Sequence, residues 1–131
     1  MKEMVLATLE WVFGEFNGLI YALIAFVVID YITGVLCAIT ERKLSSDVGF
    51  RGISKKIMIF AMVAVGNVLD VVFAGVEADF SAIRAIIIIF YFINEGLSIL
   101  ENATRLGLPV PQKLKDTLAK LHKKEIQNEA A

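Results

Sequence analysis

Three long apolar stretches, at residues 19–40, 57–76 and 81–100, constrain this chain more than anything else in it. A helix rising 1.5 Å per residue needs about 20 residues to cross a hydrocarbon core about 30 Å thick, and each stretch is that long. Backbone groups inside a bilayer have no water to bond, so a spanning segment has to satisfy them within itself, as a helix. The composition agrees: 57% of the residues are hydrophobic, against roughly 45–50% in a soluble domain, and the mean hydropathy is +0.70. The expected fold is therefore an all-α integral membrane protein with about three transmembrane helices.

The flanks divide the chain further. Residues 1–18, MKEMVLATLEWVFGEFNG, repeat Val5, Leu6, Leu9, Val12, Phe13 and Phe16 at helical spacing but are interrupted by Glu3, Glu10 and Glu15. That pattern suits an amphipathic helix lying in the membrane interface with Trp11 as its anchor; a fourth span is the minor alternative. The start lacks the basic residues and clean apolar run of a secretory signal. Residues 41–56 read as a basic loop with Gly49 and Gly52 as turns, residues 77–80 as a short loop on the other side, and residues 101–131 as a basic tail. Within the tail, Gly107, Pro109 and Pro111 end one helix and permit another, on which Leu114, Leu118 and Leu121 share a face among lysines. That face suits anionic lipid or a neighbouring subunit.

Charge sets the expected orientation. Of 13 Lys and Arg, five fall in residues 41–56 and six in the tail, leaving Lys2 and Arg84 for the other side, where Glu3, Glu10, Glu15, Glu77 and Asp79 collect. Positive flanks stay in the cytoplasm, so the N-terminus is expected outside and the C-terminus inside.

Ionisable and amide side chains at hydrocarbon depth are costly and therefore functional suspects. They are Asp30 in the first span, Asn67 and Asp70 in the second, and Asn94 and Glu95 in the third. Gly34 and Ala38, four apart beyond Asp30, form a small-residue pair that lets helices approach closely. Asp70 and Arg84 fall at similar depths and are expected to form an ion pair. Three helices enclose little interior, so these polar groups are expected to drive subunits together or to line water. No metal, cofactor or catalytic set is expected: Cys37 and His122 are the sole residues of their types, fall in different compartments, and no phosphate-binding loop follows a strand. The loop bases are explained by topology, so no nucleic-acid partner is expected.

Four pieces, DYITGV at 30–35, KLSS through GFRGISKK between Lys43 and Lys56, NEGLSILEN at 94–102 and GLPVPQKLK at 107–115, give the chain a resemblance. In this order and spacing it resembles the toxin-secretion and phage-lysis holins over Leu19 to Leu121. The resemblance implies a non-enzymatic homo-oligomer that perforates the bacterial cytoplasmic membrane, with an endolysin or toxin as functional partner and an antiholin as a further one. Two other classes fit the residues less well: a small proton-coupled transporter using Asp30 or Glu95, and an antiholin-type regulator.

Overall fold

A computed structural model of the chain describes residues 1–74, 76 and 82–130. It contains five helices: α1 (Lys2–Phe13), α2 (Gly18–Thr40), α3 (Ser46–Phe73), α4 (Ile83–Arg105) and α5 (Gln112–Ala130). Three of them, α2, α3 and α4, are long and apolar enough to cross a membrane. At 12 residues, α1 reaches about 18 Å and is too short to be a fourth span. Glu77 and Asp79, the expected loop at 77–80 and the expected start of the third span at Ser81 lie outside the described residues.

The helices begin and end where local chemistry dictates. Asn17 caps α2 by accepting the N–H groups of Leu19 and Ile20 through its side chain, and Ser45 caps α3 by accepting that of Val48. At the far end of α2 the chain turns through Arg42 at φ 57°. The N–H of Lys43 reaches back to the Ala38 carbonyl at 2.8 Å, closing the helix as a Schellman motif. The same closure ends α4, with Gly107 at φ 86° and the Leu108 N–H on the Ala103 carbonyl at 3.0 Å. Gly107 was the expected stop; Arg42, a non-glycine, was not.

The basic segment at 41–56 departs from expectation. Only residues 41–45 form the loop, and α3 starts at Ser46, more than two turns before Lys56. Gly49 and Gly52 are helical rather than turns. A Cβ on Gly52 would lie 3.3 Å from Cε2 of Tyr31, so Gly52 makes room for that ring, while one on Gly49 would make ordinary contact with its hydroxyl at 3.7 Å.

Helix α4 is the hub, packed against α2, α3 and α5, while α1 rests on α3. The buried core joins Ile20, Leu23 and Val27 of α2 to Ile59 and Val63 of α3 and Ile88 of α4. Outward-facing Val28, Ile32, Ile57 and Val65 remain about half exposed or more, as suits side chains whose solvent is lipid. Helix α5 turns back along α4, bringing His122 to Phe90 with ring centroids 5.5 Å apart. Beyond Thr40 and at Arg105, Glu41 and the arginine clasp the adjoining ends of α2 and α4 through two hydrogen bonds of 3.0 and 2.8 Å.

Candidate functional site: a charged triad inside the helix bundle

Asp30 lies ten residues before the end of α2, Glu95 ten before the end of α4, and Lys56 ten after the start of α3. Those three helix ends share one side of the molecule, so each residue stands about 15 Å in from it. The side chains meet there. The Lys56 ammonium donates to Oδ2 of Asp30 and to Oε2 of Glu95, and both carboxylates are buried, Glu95 at 4% exposure and Asp30 at 7%. A second donor completes the shell of Asp30: the Asn102 amide gives hydrogen bonds to Oδ1 at 3.0 Å and to the Thr33 hydroxyl at 2.9 Å.

The stripe of small residues on α2 serves this packing. A Cβ on Gly34 would come 3.8 Å from the Asn102 amide nitrogen, Ala38 is buried, and the Cys37 thiol donates to the Asn102 carbonyl at 3.3 Å. Close approach of α2 and α4 carries Asn102 to Asp30.

Sequence reasoning missed Lys56 and, although Asn102 falls on the same helical stripe as Glu95, assigned it no role. Lys56 was read as a loop base that fixes orientation, yet it shares one helix stripe with the buried Ile59, Val63 and Asn67; extending the three-and-four-residue period backwards by one turn would have found it. Its inclusion changes the expectation for two of the five polar groups held too many for one subunit to bury. Asp30 and Glu95 are both partnered inside a single chain, because a cation from the third helix reaches them.

Asn67 and Asp70 belong to a separate site at the opposite end. Asn67 is buried, and its amide donates to the carbonyls of Trp11 and Val12 at 2.8 and 3.2 Å. Arg84 donates to those of Phe13 and Glu15 at 2.6 and 2.8 Å. The carbonyls of Trp11, Val12 and Phe13 are among those that a helix leaves free at its C-terminus, and that of Glu15 lies in the turn just beyond, so the two side chains fasten the end of α1. Gly14 between them has φ 83°, and a Cβ there would stand 2.4 Å from Nε of Arg84. Asp70 does meet Arg84, but at the backbone: its carboxylate accepts the N–H groups of Ile83 and Arg84 at 2.9 and 3.0 Å. It caps α4, whose own N-cap residue Ala82 offers no side-chain bond, and its negative charge suits that end of the helix dipole. The guanidinium is committed to the α1 carbonyls instead.

Asn94 is apart from both groups. It is exposed and lines an open cleft of about 590 Å³ between α2, α3 and α4, together with Lys55, Ser98 and the triad. The cleft gives the triad a polar route to the surface.

Comparison with known proteins gives this architecture relatives. A model of the bacteriophage holin family matches residues 7–123. An uncharacterized 14.9 kDa protein of Clostridium perfringens is 39% identical over 115 residues, covering 88% of this chain and 85% of that protein. An uncharacterized protein of Listeria monocytogenes is 39% identical over 112 residues, covering 86% and 77%. A probable holin of Bacillus phage phi105 is 33% identical over 109 residues, covering 82% and 76%. No solved structure matches significantly.

Proposed function

The chain belongs to the bacteriophage holin family, and from that premise we propose that it gathers as a homo-oligomer in the bacterial cytoplasmic membrane and opens lesions through which an endolysin or toxin escapes. The observation that carries this reading is the family match across residues 7–123, which takes in all three spanning helices and most of α5.

The triad supplies a physical route. In the closed subunit Lys56 and Asn102 shield Asp30 and Glu95 from lipid. When subunits crowd, the two buried carboxyl groups exchange their internal partners for water or a neighbouring subunit, and the polar cleft wall at Asn94 meets the same surroundings, which a lone subunit in lipid does not offer. Apart from Lys56, ten of the 13 bases in the sequence lie towards, or in chain extending from, the side where α2 ends and α3 begins, so that side faces the cytoplasm and the α1 end faces out.

Co-expression with a cytoplasmic muralytic enzyme lacking its own export signal tests the function. Release shows as an abrupt fall in culture turbidity at a reproducible time after induction. Accumulation of the protein in the membrane with no loss of turbidity would overturn the reading in favour of a regulator that does not perforate.

A further inference from the structure

We propose that α5 is a surface-seeking helix that leaves α4 in a bilayer and docks on anionic lipid headgroups at the membrane face where α4 ends. The proposal rests on α4 crossing the membrane and is independent of perforation. In the structure α5 runs antiparallel along α4, with Leu118 3.5 Å from the position of a Cβ on Gly96 and His122 beside Phe90. Phe90 is 15 residues before Arg105, which places His122 about 22 Å along α4 from that end, beyond the midplane of a core about 30 Å thick. Lys120, Lys123 and Lys124 flank His122 on the exposed surface of α5, so the docked position would hold three ammonium groups against hydrocarbon.

Three further observations show how loosely α5 is held. Nδ1 of His122 is buried without a hydrogen-bond partner, a state that native proteins avoid. A cleft of about 630 Å³ separates α5 from the end of α4. Leu114, Leu121 and Ile126 stay 44–46% exposed even when docked, leaving much of the apolar stripe uncovered. A helix with such a stripe and lysines beside it matches an anionic interface, where leucines enter the acyl boundary and ammonium groups meet phosphates. The turn from Gly107 to Pro111 supplies the hinge.

The full chain carrying Phe90→Cys and His122→Cys, purified in detergent and then placed in vesicles, tests this, because native Cys37 is buried and stays out of the reaction. Oxidation is expected to join the two cysteines within one chain in detergent, and the yield is expected to fall about tenfold in phosphatidylglycerol vesicles. In a separate Leu121→Cys variant, a fluorophore is expected to be quenched by nitroxides just below the headgroups of phosphatidylglycerol, but not of phosphatidylcholine. Quenching should weaken in 0.5 M salt, which screens such contacts, and on combined Lys120→Gln, Lys123→Gln and Lys124→Gln substitution. Undiminished cross-linking in vesicles would overturn the proposal, as would quenching indifferent to lipid charge. Cross-linking between two chains would overturn it in favour of a second copy as the partner of α5.

Discussion

At the residue scale the balance at Asp30, Lys56 and Glu95 is asymmetric. Removing the ammonium strands two buried carboxylates, whereas removing either carboxylate leaves Lys56 one partner. Lys56→Met is therefore expected to destabilise the detergent-solubilised protein by about 3–5 kcal/mol, the range for breaking a buried ion pair, with Asp30→Asn and Glu95→Gln less harmful. Thermal unfolding followed by circular dichroism checks the order, and a Lys56→Met variant that unfolds no earlier than Glu95→Gln contradicts it. Glu41 offers a pH-dependent counterpart outside the bundle. The hydrogen bond from Arg105 holds its carboxyl below the ordinary glutamate value of 4.5, so its link to α4 is complete above that pH and is lost as pH falls through the depressed value. A carboxyl chemical-shift titration should show the low midpoint in the native protein and a rise towards 4.5 in Arg105→Gln. The sequence exposed the carboxylates at hydrocarbon depth because charge in an apolar run stands out. Lys56 was hidden because it adjoins other bases, and the pairing of Asn102 with Asp30 because spacing along one helix does not show which residue of another it meets.

Between elements, the close contacts are made by glycines. A Cβ on Gly66 of α3 would fall 2.7 Å from Cδ1 of Ile87 and 3.2 Å from the Arg84 backbone of α4. Gly66→Ala should force α3 and α4 apart, costing about 1–3 kcal/mol as other overpacked sites do. At Gly107 a Cβ meets nothing within 4 Å, and the cost of Gly107→Ala is conformational alone, about 1–2 kcal/mol for a left-handed position. Paired melting curves separate the two mechanisms: Gly66→Ala should also raise disulfide-probe distances between α3 and α4, while Gly107→Ala should leave them unchanged. The three spans and the stop at Gly107 were legible because apolar length and a glycine before prolines are strong local signals. The start of α3 was not, because glycines at 49 and 52 suggest turns until Tyr31 of another helix is seen to pack against them. The fastening of α1 by Asn67 and Arg84 was equally invisible, since it depends on backbone carbonyls that carry no sequence mark.

For the whole molecule, internal satisfaction of the triad changes what could drive assembly. If buried carboxylates lacked partners in one subunit, association would follow directly from their cost in lipid, about 2.5–3.5 kcal/mol each on insertion scales. Because Lys56 and Asn102 already meet them, their cost in lipid is offset within one subunit, and the proposed assembly would have to compete with those contacts. If the chain perforates the membrane as proposed, a barrier of that kind would let protein accumulate before a lesion opens, and lowering it should shorten the wait. Lys56→Met raises the closed form by stranding Asp30 and Glu95, and water in a lesion solvates those carboxylates. The variant is thus expected to trigger release of a co-expressed muralytic enzyme earlier than the unsubstituted chain at equal membrane accumulation, measured by immunoblot of the membrane fraction against the time of turbidity loss. The conservative Lys56→Arg, which keeps a cation between the carboxylates, should stay close to the original timing. Later onset for Lys56→Met at matched accumulation would mean that the triad belongs to the assembled state rather than guarding the closed one.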